Sequence, residues 1–342
     1  MENKSEHNNF NPSGVGIKNE NFVGLPFTQE TARVILLPVP WDVTVSYGEG
    51  TALAPVSILE ASTQIDLYDS DVKDAWIRGI YFQPVNNDIL KIRNDLRPKA
   101  KKYIDYLECG GKLSENTELK DVLSEINTQC EAMNFFVYKH AKKLLNDGKL
   151  VGLVGGDHST PLGYLKALTE KYDRFGILQI DAHMDLRKAY EGFIFSHASV
   201  FYNALQMPQI KRLVQVGIRD YCEEELELVE KDERHSIFFD QRIKEQQYQG
   251  TTWNEQITDI IGDLPGNVYI SFDVDGLDPK LCPNTGTPVP GGFNFNELVY
   301  LFKKIKESGR KIIGFDVCET GNSEWDANVA ARIIYKLCNL AG

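Results

Sequence analysis

Short apolar runs recur along this chain, and each is followed by a polar loop and a segment of helical length. Apolar runs without polar alternation are typical of strands buried on both faces. Strands that alternate with helices pair in parallel, because the helix returns the chain to the same end of the sheet. The chain is therefore predicted to be an α/β protein with three layers, α/β/α, around a mostly parallel central sheet. The predicted strands are residues 34–37, 150–154, 176–180, 212–217, 236–239, 267–272 and 311–316.

Three of the predicted strands are followed at once by residue types that bind metal ions. The run 176–180, for example, leads directly into an aspartate, a histidine and a second aspartate. Ligands bind at the carboxyl ends of parallel strands, so clusters that follow different strands are expected to meet at one edge of the sheet. The candidate metal ligands from the three clusters are His158, Asp181, His183, Asp185, Asp273 and Asp275.

The donor chemistry of these candidates indicates the kind of metal site. They comprise four carboxylates and two imidazoles, with no thiolate. A donor set rich in oxygen with some nitrogen suits Mn²⁺ better than a structural zinc ion, while Ni²⁺ and Co²⁺ stay open as alternatives. Six ligands are many for one catalytic ion, whereas two ions that share carboxylates would use them all. Because such pairs activate water, the pattern predicts a binuclear metal hydrolase.

The residues around these ligands resemble the three signature motifs of the ureohydrolase family, which includes arginases, agmatinases, guanidinobutyrases and formiminoglutamases. The likeness extends from about Val34 to the C-terminus, outside one insertion. It implies an arginase/deacetylase-like fold and a homotrimer or homohexamer. The motifs are Gly155-Gly156-Asp157-His158-Ser159, Asp181-Ala182-His183-Met184-Asp185 and Ser271-Phe272-Asp273-Val274-Asp275-Gly276-Leu277-Asp278-Pro279.

The resemblance also divides the candidate ligands between two Mn²⁺ ions per chain. The terminal ligands would be His158 and Asp185 on one ion and His183 and Asp275 on the other, with Asp181 and Asp273 bridging the two. The reaction that this site implies is attack of hydroxide on a guanidinium carbon. Collapse of the tetrahedral intermediate then releases urea and an amine.

Two further residues match positions where the family keeps groups that act on the substrate. His197 matches a histidine that serves as acid or proton shuttle, a role that suits imidazole because it titrates near neutral pH. Glu319 matches a glutamate that pairs with the planar guanidinium, which can donate two parallel hydrogen bonds to a carboxylate. Both neighbourhoods depart from the family pattern, since Ala198 stands where glycine is usual and residues 320–322 replace a proline-containing continuation. The candidate catalytic residues are His197, Glu319 and Asp185.

The segment between Asp185 and His197 is expected to meet the far end of the substrate. It lacks the Asn- and Thr-rich pattern of arginases and shares Leu-Arg and Tyr-Glu-Gly elements with some prokaryotic agmatinases. Hydrolysis of agmatine to putrescine is therefore predicted, with Glu319, Arg187 and Tyr190 binding the substrate. Because Arg187 would also suit a carboxylate, an arginase or a guanidinobutyrase-type guanidino-acid hydrolase stays open. A formiminoglutamase and a non-catalytic metal-binding relative are the remaining alternatives.

Composition bears on partners and on location. The net charge of −12 argues against binding to nucleic acid or to an anionic membrane. The polar N-terminus has no signal-peptide core, and no run approaches the roughly 18 apolar residues of a membrane helix. The six cysteines are scattered without a Cys-x-x-Cys pair, which is typical of a reduced cytosolic protein. We therefore expect a cytoplasmic enzyme with a small cationic guanidino substrate.

The chain is expected to divide where the strand and helix pattern begins. Residues 1–30 are rich in Asn, Gly and Glu and are predicted to form a loosely held arm. Residues 31–342 are predicted to form a single ureohydrolase domain. Within it, residues 83–125 carry charged helical sequence that is broken at Gly110 and exceeds the family core. This helical excursion is expected at the surface or at a subunit contact, away from the chemistry.

Overall fold

A computed structural model describes residues 10–342, so residues 1–9 of the predicted arm lie outside the described residues. Eight strands form one sheet in the order β2-β1-β3-β8-β7-β4-β5-β6, and all seven strand pairs are parallel. The strands are β1 (Val34–Pro38), β2 (Ile80–Phe82), β3 (Leu150–Val154), β4 (Phe175–Ile180), β5 (Ile210–Ile218), β6 (His235–Phe239), β7 (Asn267–Asp273) and β8 (Lys311–Cys318). The α/β prediction is confirmed, and the sheet is entirely parallel.

Helices connect the strands and cover the sheet. They are α1 (Ala54–Ser62), α2 (Asn87–Glu108), α3 (Thr117–Asn146), α4 (Leu162–Lys171), α5 (Val200–Ala204), α6 (Glu223–Lys231), α7 (Asp240–Tyr248), α8 (Trp253–Gly262), α9 (Phe295–Glu307) and α10 (Glu324–Leu340). One packed group consists of α2, α3, α4 and α5, and a second consists of α1, α10, α9 and α8. None of the described helices is both long and apolar enough to cross a membrane.

The sheet interior explains why apolar runs located the strands. Every residue of β4 is buried, and its neighbour β7 is buried except at its first residue. A strand covered on both faces has no solvent-facing positions, so polar alternation disappears from its sequence. Each of the predicted strands is present, and the one that the prediction missed is β2, whose three residues are too short for a periodic signal.

The segment before β1 is partly integrated into the core. Phe22, Leu25 and Phe27 are buried, which differs from the predicted loosely held arm. The side chain of Asn21 donates hydrogen bonds to three backbone carbonyls, including that of Ile80, and accepts one from the amide of Phe82. A buried asparagine thus ties this segment to β2 and satisfies the backbone of both. The single domain over residues 31–342 stays a prediction.

The predicted excursion forms a pair of long helices. Helix α2 begins at Asn87, and the side chain of the preceding residue, Asn86, caps its first amides. Helix α3 begins at Thr117. Gly110 adopts a left-handed φ of 82° at the turn between them. An exposed ion pair of 2.7 Å between Lys99 and Glu125 links α2 to α3. The two helices therefore form a hairpin, which we call the α2–α3 hairpin.

Candidate metal centre and active site

The three ligand clusters converge because they follow adjacent strands. The order β3-β8-β7-β4 places four carboxyl ends side by side. His158 lies in the loop after β3, Asp181 directly follows β4, and Asp273 ends β7. Strand β4 stops at Ile180, so residues 181–185 are grouped by a loop and not by the alternation of a strand. The parallel topology alone brings residues far apart in sequence to one edge.

His158 forms the centre of the first donor group. Its Nδ1 atom lies 3.0 Å from Oδ2 of Asp181, 3.1 Å from Oδ2 of Asp185 and 3.2 Å from Oδ2 of Asp273. All four side chains are nearly or fully buried. Asp185 holds a left-handed φ of 56°, a conformation that costs energy for a residue with a Cβ and is found at functional sites.

A second donor group lies on the other side of Asp181. Nδ1 of His183 lies 3.0 Å from Oδ2 of Asp275 and 3.7 Å from Oδ1 of Asp181. The two oxygens of Asp181 therefore face different histidines. The donor atoms of each group lie within 4.8 Å of one another, which is close enough to hold one ion per group. The groups are His158, Asp181 and Asp185, and Asp181, His183 and Asp275.

The electrostatics of the cluster fit divalent cations. In the described part of the chain its four carboxylates form ion pairs only with histidines. Burial, together with the charge of Asp181, raises the pKa of Asp185 to about 7. Burial opposes the charged imidazole of His158, yet hydrogen bonds with Asp181 and Asp185 raise its pKa well above the ordinary value. Burying four carboxylates close together costs free energy unless cations lie between them. The donor set therefore suits a pair of metal ions.

A relay of hydrogen bonds orients His158 from behind. Nε2 of His158 lies 3.0 Å from Oγ of Ser271, and that hydroxyl donates to Oδ2 of Asp316 at 2.6 Å. Such partners set the tautomer and direction of a metal-binding imidazole. Neither residue was predicted from the sequence. Two features could have indicated them: Asp316 is an aspartate inside the apolar run of β8, and Ser271 shares a strand face with Asp273.

Glu225, near the start of α6, holds the loop that carries Asp185. Its Oε1 accepts a hydrogen bond of 3.0 Å from the amide of Leu186, and its Oε2 accepts one of 3.0 Å from the amide of Cys222. The side chain is buried and also lines the cavity described below. This residue was not predicted either, because a glutamate in a first helical turn reads from sequence as an ordinary helix cap.

A cavity of about 170 Å³ opens onto the donor groups. Every predicted substrate-binding and catalytic residue lines this cavity. The lining residues are Ser46, His158, His183, Asp185, Arg187, Tyr190, His197, Ala198, Asp220, Tyr221, Glu225, Asp273, Asp275, Thr287 and Glu319. Asp181 lies beneath this surface, fully buried.

Glu319 presents a buried carboxylate to the cavity. Its Oε1 accepts a hydrogen bond of 2.9 Å from the amide of His158, whereas its Oε2 is buried and has no hydrogen-bond partner among the described residues. Burial, with the nearby charge of Asp157, raises the pKa of Glu319 well above its usual value. A cation next to Oε2 would restore the charged form. The residue also holds a left-handed φ of 62°, which aims the side chain as part of the loop after β8.

His197, Tyr190 and Arg187 form a neighbouring wall of the cavity. The rings of Tyr190 and His197 meet edge to face with centroids 6.1 Å apart, and the guanidinium of Arg187 lies 4.9 Å from the centroid of Tyr190. Burial, and secondarily the charge of His183, lower the pKa of His197 to about 3. Its imidazole is therefore neutral at neutral pH.

A family comparison accounts for this arrangement. The family model described as the arginase family matches residues 32–339. The chain belongs to the arginase family. The resemblance drawn from the three motifs is therefore confirmed, together with the ureohydrolase class of enzyme.

Individual members of the arginase family are similar over most of the chain. An N(1)-aminopropylagmatine ureohydrolase from Thermus thermophilus is 29% identical over 316 residues, which cover 92% of this chain and 92% of that protein. An agmatinase from Cronobacter sakazakii is 26% identical, over 90% of this chain and 85% of that protein. The crystal structure of agmatine ureohydrolase from Thermoplasma volcanium superposes with a TM-score of 0.71 at 22% identity and covers 94% of each chain. This last likeness concerns the fold alone.

Proposed function

We propose that this chain is a binuclear manganese hydrolase that cleaves agmatine to urea and putrescine. The observation that carries the proposal is the unpartnered, buried Oε2 of Glu319 in the same cavity as the two donor groups. A buried carboxylate without a countercharge suits a cationic ligand, and a guanidinium is a planar cation that can donate to it. The names of the relatives, an agmatinase and an aminopropylagmatine ureohydrolase, agree with such a ligand.

The proposed ligands of the two ions are the six candidates from the sequence. His158 and Asp185 would hold one ion, and His183 and Asp275 the other. Asp181 and Asp273 would lie between them. Asp273 belongs to neither group of three donors, but its carboxylate lies within 3.2 Å of Nδ1 of His158, at the first of the two groups. When bound, two divalent ions supply hydroxide at neutral pH by lowering the pKa of water.

The remaining steps fall to side chains of this chain. Glu319 would accept hydrogen bonds from the guanidinium and turn its carbon toward the donor groups, which is a positioning role. His197 is neutral and can take up a proton, then give it to the departing amine nitrogen. Asp185, which we retain as a catalytic candidate, would act by holding its ion. Burial of Glu319 and Asp185 strengthens the charged interactions that they make.

The tail of the substrate would lie toward Arg187, Tyr190 and Asp220. An aliphatic chain can pack on the Tyr190 ring, and the exposed carboxylate of Asp220 suits a terminal ammonium. Arg187 favours a second candidate function. Its guanidinium forms no ion pair within residues 10–342, and a carboxylate-terminated guanidino acid would provide one. Agmatine and guanidino acids therefore place opposite charges at this end of the cavity.

Urea release from a panel of compounds tests the proposal. The protein loaded with Mn²⁺ is expected to release urea fastest from agmatine, because its amine meets the acidic rim of the cavity. The panel adds arginine, guanidinobutyrate, formiminoglutamate and guanidine. A preference for guanidinobutyrate would assign Arg187 to a substrate carboxylate. No urea from any compound would contradict the proposed function.

Glu319→Gln isolates the charge opposite the guanidinium. The amide keeps the shape of the side chain but accepts fewer hydrogen bonds and carries no charge. Loss of a charge-assisted hydrogen bond costs about 1.5–3 kcal/mol, so we expect kcat/KM to fall at least tenfold while both ions stay bound. Steady-state kinetics and elemental analysis of the same sample measure the two effects. Loss of metal in this variant would place Glu319 among the ligands instead.

Assembly and location follow the resemblance. We propose a homotrimer or homohexamer in the cytoplasm, without nucleic acid or membrane as partner. Light scattering on the active enzyme tests the assembly, and an active monomer at working concentration would contradict it.

A further inference from the structure

The α2–α3 hairpin was predicted to lie away from the chemistry, but it contacts two loops that line the cavity. The first is the loop after β1. Arg97 of α2 is buried and donates hydrogen bonds of 3.0 Å to the carbonyl of Val43 and 2.7 Å to the carbonyl of Val45. Its Nε also pairs with Glu49 at 3.0 Å. Ser46, which directly follows the residues bound by Arg97, lines the cavity.

The second loop is the one that carries Arg187, Tyr190 and His197. The hydroxyl of Tyr103 in α2 donates a hydrogen bond of 2.8 Å to the carbonyl of Glu191, and its ring packs on Phe193 with centroids 5.3 Å apart. This is the middle of the segment that was predicted to meet the substrate tail.

Asn127 of α3 holds the same segment from the other side of the hairpin. Its Nδ2 donates to the carbonyl of Gly192 at 3.1 Å, and its Oδ1 accepts from the amide of Ile194 at 2.9 Å. The contact is close, because a Cβ on Gly192 would lie 3.0 Å from Leu123 of α3. The side chain of Asn127 thus hydrogen-bonds to the loop backbone at both ends of residues 192–194, as a neighbouring strand would.

Few contacts within residues 190–194 stabilise the conformation of this segment. Glu191 and Gly192 adopt left-handed φ values of 54° and 83°, and the segment has only one bridge of its own, between Tyr190 and Phe193. A left-handed glutamate costs energy unless its surroundings compensate. At Glu191 and Gly192 the compensating hydrogen bonds come from the hairpin, while Asn203 of α5 donates to the carbonyl of Ile194 at 2.9 Å.

We infer that the α2–α3 hairpin positions the substrate-tail wall of the cavity, with Tyr103 and Asn127 as the positioning residues. They belong to neither donor group and do not line the cavity, and they act through the backbone of residues 191–194. Their effect is on where Tyr190, Arg187 and His197 stand. The kinetic consequence rests on the proposed function, whereas the structural one does not.

Removing single hydrogen-bonding groups tests the inference. Tyr103→Phe loses only a hydroxyl, and Asn127→Leu loses both bonds at similar volume. We expect about a fivefold rise in KM for agmatine for each hydrogen bond lost, so about fivefold for Tyr103→Phe and about 25-fold for Asn127→Leu, which loses two. The double variant should show a larger rise, with manganese content unchanged. Hydrogen exchange of the manganese-loaded protein should accelerate at the amides of residues 188–195 and not across the sheet.

Tyr106→Phe is the matched control. Tyr106 lies on the same helix and donates to the carbonyl of Lys112, in the turn of the hairpin, so its loss weakens the hairpin without touching the loop. It should leave KM and loop exchange as in the wild type. If Tyr103→Phe and Asn127→Leu match this control, or lower only the midpoint of thermal unfolding, the inference is wrong. If the wild type hydrolyses nothing, the proposed function fails, and loop exchange alone decides the positioning role.

Discussion

Asp181→Ala is expected to lose both metal ions or bind them weakly, and to lose nearly all turnover. Asp181 is the residue shared by the two donor groups, and its two oxygens face His158 and His183. Its removal withdraws a ligand from both sites at once. The loss should exceed the ~10–100-fold that an outer hydrogen-bond partner costs. Elemental analysis beside kinetics measures it, and Asp273→Ala should behave similarly.

Asp278→Ala provides the control for this result. Asp278 lies in the same motif as Asp273 but forms an ion pair of 2.8 Å with Lys280 at the surface. Both ions and turnover should therefore survive its loss. An Asp181→Ala protein that keeps two ions would remove Asp181 from the ligands. One ion or fewer in a fully loaded, active wild type would exclude the bridged pair.

His197→Ala is expected to slow turnover by ~10²–10⁴-fold, the usual cost of losing a general acid or base, with both ions retained. The imidazole is half-buried beside Tyr190 on the wall of the cavity and forms no part of either donor group. In the proposed mechanism its step is proton transfer to the leaving amine, so kcat should fall more than the affinity for substrate. Rapid quench or steady-state urea assays measure the rate, and elemental analysis measures the metal.

A second histidine separates this role from general effects of substitution. His140 is exposed on α3 and bonds to the carbonyl of Phe136. His140→Ala should leave both rate and metal content unchanged. Turnover close to wild type in His197→Ala would show that another group carries the proton.

Part of the fold followed directly from sequence. Strands such as β4 and β7 were visible because burial on both faces removes every polar position from the run. Strand β2 was not, because three residues at the edge of the sheet carry no period. The buried Phe22 and its neighbours were assigned to an arm, because their packing depends on Asn21, whose hydrogen bonds reach a strand 59 residues away.

The residues of the candidate site were also only partly predictable from the sequence. Its candidate ligands could be named because metal chemistry demands particular residue types close to strand ends, whereas His197 and Glu319 were named from the resemblance to the family. Ser271, Asp316 and Glu225 could not, since a serine, an aspartate or a helix-capping glutamate has many ordinary uses. Their roles are revealed only by the contacts of Ser271 with His158 at 3.0 Å, of Asp316 with Ser271 at 2.6 Å and of Glu225 with the amide of Leu186 at 3.0 Å.

The sequence by itself determined the parallel sheet, the donor chemistry and the family. These depend on local patterns: the apolar run, the ligand that follows it, and the motif around both. The tertiary structure decided which donors lie close enough to share an ion, which carboxylate lacks a partner among the described residues, and that the α2–α3 hairpin holds residues 191–194. Contacts such as Tyr103 with Glu191 join residues 88 positions apart, and no periodicity in either segment encodes the other. Distance between side chains is a property of the folded chain alone.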